Sequence, residues 1–153
     1  MKRLTHIILH CSDSSWGSSA EIRKWHLEKG WKDIGYHFVI DNGFVRPDFF
    51  IPAMDGTLEV GRMLDADSFI SDNEIGAHTL GYNNSSIGIC LIGTKSFTEK
   101  QFATLLVLLD FLITQFGIKI EHIIGHNETE SGKQQGKSCP NFEVETIRNK
   151  LRS

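Results

Sequence analysis

The segment Ser86–Ile92 reads SIGICLI, an almost unbroken apolar run with no polar–apolar alternation. A strand with one wet face would alternate, so this one is expected to lie buried on both faces at the centre of a sheet. The rest of the chain must then supply neighbouring strands and the helices that cover them.

Several segments suit that task. Leu4 to His10 is rich in isoleucine and reads as a first strand. Ser18-Ser19-Ala20-Glu21 has the spacing of a capping box, followed by a helix with Ile22, Trp25 and His26 on one face and Gly30 at its end. Tyr36–Ile40 is a second strand, closed by the turn signal Asp41-Asn42-Gly43. Phe44 to Ala53, with two prolines, reads as a loop or short arm. Asp55-Gly56 is a further turn, and Thr57–Arg62 returns as a strand. Asp65 to Asn84 is polar and glycine-rich, the character of a long surface loop.

Thr98 and Gln101 form a second capping box, and Phe102, Leu105, Leu106, Leu109, Leu112, Ile113 and Phe116 make an apolar stripe that stops at Gly117. Ile118–Gly125 holds a short last strand, and Val144, Ile147 and Leu151 give a C-terminal helix one apolar face. No repeat or linker interrupts the 153 residues, so the expectation is one α/β domain over 1–153, a central mixed sheet flanked by helices.

Composition narrows the function. Sixteen Lys and Arg against nineteen Asp and Glu leave a net charge of -3, which provides no basic field for nucleic acid phosphates. No apolar run reaches the roughly 18 residues of a membrane span, and MKRLTHIILHCSDSS has too short an apolar core for a signal peptide. The chain is therefore expected to be made in the cytoplasm, without membrane insertion and as a monomer. Its three cysteines, Cys11, Cys90 and Cys139, are odd in number and widely spaced, which suits free thiols in a reducing compartment.

Three residues stand where a metal site could form. His10 and His126 each end a predicted strand, and Cys139 lies in the loop Lys137-Ser138-Cys139-Pro140. Two imidazoles and a thiolate make a three-ligand zinc site with an open fourth position. With seven His and three Cys the chain offers other triples, and His10 read alone also fits a strand residue bonded to backbone. Strand alternation places Cys11 away from His10, and His37 away from Tyr36. Cys90 belongs to the buried strand. Glu128 is either an orienter of a ligand or a surface acid.

The wider pattern is more specific. His10-Cys11-Ser12, Glu21-Ile22-Arg23-x-Trp25-His26, Gly30-Trp31 and Gly35-Tyr36-His37-Phe38 are followed by Gly56-Thr57-x-Glu59-x-Gly61-Arg62. Then come Gly76-Ala77-His78-x-x-Gly81-Tyr82-Asn83, Ser86-Ile87-Gly88, Cys90-Leu91-x-Gly93, His126-Asn127-Glu128 and Lys137-Ser138-Cys139-Pro140. In this order the blocks resemble the zinc-dependent N-acetylmuramoyl-L-alanine amidases of the T-odd bacteriophage lysozyme type, relatives of the peptidoglycan recognition proteins. Two segments depart from the phage pattern: Phe44–Met54 looks inserted, and Glu128–Lys137 is longer.

The resemblance implies an amidase and recognition-protein fold, zinc on His10, His126 and Cys139, and catalytic roles for Tyr36 and Lys137. It places His78 and Asn83 at the substrate cleft, and peptidoglycan or a muropeptide as the partner. The implied reaction is hydrolysis of the amide between N-acetylmuramic acid and L-alanine, as in an endolysin that meets the wall after release. Two other readings differ in class. One is a module that binds muropeptides without cutting them, against which Cys139 argues. The other is a regulatory protein that binds a polymerase, against which the net charge and short N-terminus argue.

Overall fold

In the computed structural model, which describes residues 2–153, the strands are β1 (Lys2–Arg3), β2 (His6–Cys11), β3 (Phe38–Arg46), β4 (Phe49–Val60), β5 (Phe69–Ile70), β6 (Ser86–Leu91) and β7 (Ile123–Gly125). The helices are α1 (Ser19–Glu28), α2 (Glu99–Phe116), the short α3 (Glu130–Gln134) and α4 (Val144–Arg152). Five strands form one sheet in the order β4-β3-β6-β2-β7, and β1 pairs with β5 in a separate two-stranded ribbon. Pairings β3–β6, β6–β2 and β2–β7 are parallel and β3–β4 is antiparallel, so the sheet is mixed as expected.

The SIGICLI strand, β6, is central and buried along its whole length. Alternation then sorts its side chains. Ile87, Ile89 and Leu91 join Ile7, Leu9 and Ile40 against Leu105, Leu108, Leu109, Leu112 and Phe116 of α2 and Val144 and Ile147 of α4. Cys90 and Ile92 face the other way, onto Ile22, Ile34 and Val39, with Trp25 and Tyr36 packed beside them. Burying each of the α2 leucines stabilises by about 1.5–3 kcal/mol before entropy is counted. His10 falls in the opposite phase to Ile7 and Leu9, so it points to the α1 side of the sheet.

The Thr98–Gln101 capping box is formed, and Gly117 ends α2 at φ 65°. Gln101 does more than cap, because its carboxamide nitrogen also donates to Ile40 O (3.1 Å) and Ile92 O (2.9 Å), tying α2 to two strand ends. The Ser18 box is only half made. Ser18 Oγ accepts from Glu21 N, while the Glu21 side chain makes no return bond to Ser18 N; the first helical amide, that of Ser19, donates to Glu59 Oε1 from β4 (2.9 Å).

Two local expectations are corrected: Asp41-Asn42-Gly43 does not turn the chain, and Asp55-Gly56 lies inside a strand. Of the two readings of Phe44–Ala53, the short arm holds and the loop does not. Together these segments make one long hairpin, β3–β4, which reverses at Pro47-Asp48, with Asp48 at φ 56°. The register slips between Ile40 and Phe44, where β4 carries the extra residues, and Gly43 opposite them takes φ 90°. Its missing side chain makes room for Phe50, since a Cβ there would fall 2.4 Å from that ring. Pro52 is tolerated because β4 is the sheet edge.

The 65–84 segment is less free than a plain surface loop. It contributes β5, and the buried Glu74 carboxylate accepts from Asp65 N (2.7 Å), Ser71 N (2.8 Å) and Ser71 Oγ (2.7 Å). Among the described residues no helix is long and apolar enough to cross a membrane.

Candidate metal centre and active site

β2 and β7 run parallel in a register that pairs Leu9 with Gly125. The next residues, His10 and His126, therefore emerge together at the strand ends, with ring centroids 4.8 Å apart. The loop after α3 brings the third group. Asn127 N donates to Cys139 O (2.8 Å), and Cys11 N donates to Cys139 Sγ (3.1 Å), which fixes the sulfur beside the histidines. One donor atom each from His10, His126 and Cys139 lie within 4.8 Å of one another, and no other such group of three occurs among the described residues.

The electrostatics suit a cation. Burial, with His78 and His126 nearby, holds the His10 imidazole well below its ordinary pKa, and burial with Lys137 lowers that of His126. Both rings are thus neutral at pH 7, the form that ligates. The Cys11 thiol and burial push the Cys139 thiol up, so a thiolate here calls for a positive partner. Two neutral imidazoles and one sulfur on a solvent-open cleft match the donor set of a catalytic zinc site.

The triad borders a cleft of about 500 Å³ whose wall includes Tyr36, Lys137, Lys29 and Asn141. Tyr36 lies just before β3, its ring 5.1 Å from that of His10. Burial raises the phenol's pKa well above the usual value, with the neighbouring cysteines adding to the effect, so Tyr36 stays protonated at neutral pH. The Lys137 side chain is exposed at the rim, while its backbone N donates to Gly132 O (2.8 Å).

Other sequence candidates take different places. His78 has its imidazole against His10 rather than along the cleft wall, with Nδ1 2.9 Å from His10 Nε2. Asn83 is engaged by backbone: Oδ1 accepts from His78 N and Thr79 N, both at 2.8 Å. His37 is fully buried, accepting from Gly88 N through Nδ1 and donating to Glu74 O through Nε2. Glu128 accepts from Gly125 N (2.8 Å) and grips Arg148 of α4 with both oxygens (3.0 and 2.9 Å). It anchors the end of β7 instead of contacting a ligand ring. Lys29, which follows α1, and Asn141 were not anticipated at the cleft. Lys29 sits one residue before the quoted Gly30-Trp31 block, and its Nζ lies 5.3 Å from the Trp31 ring.

Residues 1–142 match the family described as N-acetylmuramoyl-L-alanine amidase. The chain is 32 % identical over 149 residues to the endolysin of Escherichia phage T7, covering 90 % of this chain and 81 % of that one. It is 32 % identical over 151 residues to the endolysin of Klebsiella phage KP32, covering 92 % and 82 %. Among solved structures, the N-acetylmuramoyl-L-alanine amidase LysC from Clostridium intestinale superposes with a TM-score of 0.75 at 25 % identity, over 98 % of this chain and 86 % of that one. Drosophila PGRP-LB superposes with a TM-score of 0.61 at 26 % identity, over 94 % and 86 %.

Proposed function

Because the chain belongs to the N-acetylmuramoyl-L-alanine amidase family, we propose that it opens peptidoglycan with one zinc ion held by His10, His126 and Cys139. It is a hydrolase of the amide that joins the lactyl group of N-acetylmuramic acid to the L-alanine of the stem peptide. The observation that carries the metal assignment is the meeting of three N and S donors from distant parts of the chain at the floor of an open cleft. Bound there, zinc supplies Lewis acidity and lowers the pKa of water to about 7.

The protein's own groups have separable parts in this reading. The Cys11 amide stabilises negative charge on the Cys139 sulfur. Tyr36, kept protonated, donates to the scissile carbonyl oxygen as that oxygen gains charge. The Lys137 ammonium stabilises the same charge from the rim. Lys29 and Lys137 outweigh Asp13, the one acid on the cleft wall, and leave the border positive, which suits the carboxylates of a stem peptide. His78 and Asn83 shape the wall behind His10, and the substrate meets Tyr36 and Lys137. The phage relatives support an endolysin role, acting on the wall after release.

Mass spectrometry of digested peptidoglycan tests this. Released stem peptides with a free L-alanine amino terminus, lost on chelation and restored by zinc, are expected. Intact wall retained uncut by the zinc-loaded protein would replace the proposal with recognition alone.

A further inference from the structure

His10 is joined to a chain of side chains that ends on a backbone carbonyl. Ser86 Oγ donates to Tyr82 O at 2.7 Å, and a carbonyl can only accept. The single hydroxyl proton of Ser86 is thereby used, so Ser86 Oγ accepts from His78 Nε2 at 3.3 Å. A neutral His78 with its proton on Nε2 has a bare Nδ1, and that atom lies 2.9 Å from His10 Nε2. Two bare nitrogens at this distance would repel, so His10 carries its proton on Nε2. Thr79 Oγ1, at 3.0 Å from His78 Nδ1 and 3.2 Å from His10 Nε2, fits the same assignment, accepting from one ring and donating to the other. The remaining nitrogen of His10, Nδ1, is the one that faces Cys139 Sγ, 3.8 Å away.

The position of His78 is built into two glycines. A Cβ at Gly88 on β6 would fall 2.7 Å from the His78 ring, and one at Gly76 would fall 2.8 Å from it. The ring therefore rests on bare backbone of the central strand, and no larger residue at either place would leave it there. These two glycines belong to the Gly76-Ala77-His78 and Ser86-Ile87-Gly88 blocks singled out in the sequence.

We propose that His78 is a positioning residue for the metal site: the Ser86–His78 chain fixes the His10 tautomer and ring direction so that Nδ1 presents its lone pair to the ion. The proposal rests on the zinc reading above. Partners of this kind orient imidazole ligands, and their loss typically weakens metal binding by about 10–100-fold.

The test pairs His78→Phe, which keeps ring bulk and removes the acceptor, with His78→Gln, whose amide oxygen can accept from His10. Zinc affinity is measured by chelator competition, with thermal melts of each metal-free protein as the control for folding. Affinity is expected to drop about 10–100-fold in His78→Phe and to recover most of that loss in His78→Gln. A His78→Phe protein that binds zinc as tightly as the parent overturns the proposal. So do two variants that are equally weak. A parent that takes up no zinc overturns the metal assignment itself, and this inference with it. Long-range ¹H–¹⁵N spectra of the unmodified protein give an independent reading: Nε2 protonated and Nδ1 bare on His10 is expected, and a proton on Nδ1 is disproof.

Discussion

Leu9 and Gly125 face each other across the parallel β2–β7 pairing, and the residues that follow them, His10 and His126, consequently stand side by side. The geometry of the candidate metal site is thus set by backbone register before any side chain contributes. A slip of one residue would turn His10 into the α2 core and exchange it for a leucine or a cysteine.

Cys139→Ser is expected to lose zinc and activity together, because the Cys11 amide and two imidazoles do not replace a thiolate. Lys137→Ala is expected to keep stoichiometric zinc and to lose about 10²-fold in rate, the usual effect of deleting one transition-state stabiliser. Metal content and digestion rate measured on the same preparations decide both. A fully active Lys137→Ala would remove that residue from the mechanism.

Tyr36→Phe separates the phenol from the ring. The ring packs against His10, so zinc content and melting temperature should stay near those of the parent. The rate is expected to fall by about 10²-fold, through kcat more than KM, since the proposed function has the hydroxyl act on charge that develops during reaction. An effect confined to KM would place the hydroxyl in ground-state binding.

Asp41 is fully buried on β3 with neither carboxylate oxygen hydrogen-bonded. Burial, and Glu59 beside it, push its pKa up to about 8. The unfolded chain releases that proton near pH 4. Between about pH 4 and pH 8 the folded state therefore holds more protons, and the contribution of Asp41 to stability declines as pH rises through that window. Asp41→Asn should stabilise by about 2 kcal/mol at pH 8 and by clearly less at pH 5. Urea midpoints at the two pH values check this, and equal gains would refute the pH linkage.

Glu128→Ala leaves the buried Arg148 guanidinium with Glu145 and Ile123 O, and leaves Gly125 N without its acceptor. Because the Glu128 side chain is 37 % exposed, the pair is discounted for solvent, and a loss of about 1–2 kcal/mol is expected. Zinc affinity should fall with it, since β7 delivers His126 directly after Gly125. Unchanged denaturant midpoints would show that α4 holds β7 without this pair.

Much of the architecture was readable in one dimension because its causes are local. The unbroken SIGICLI run marked the central strand, Thr98-x-x-Gln101 and Gly117 bounded α2, and the ordered motif blocks pointed to the family. The hairpin is not legible locally because Asp41-Asn42-Gly43 and Asp55-Gly56 carry genuine turn chemistry. What outweighed it was cross-strand pairing and the packing of Phe44 on Phe50, with Pro47-Asp48 making the reversal.

The residue types at the candidate metal site were a property of the sequence, but its assembly was not. His10 and His126 lie more than a hundred residues apart, and only the β2–β7 register brings their rings together. The same holds for His78: a histidine in a polar loop gives no sign of what it touches. Its place behind His10 depends on a strand with no side chain at Gly88 and on a serine whose proton is already taken by Tyr82 O. Local sequence encodes propensity and pattern, whereas hydrogen-bond direction between distant side chains exists only once packing has brought them within 3 Å or so.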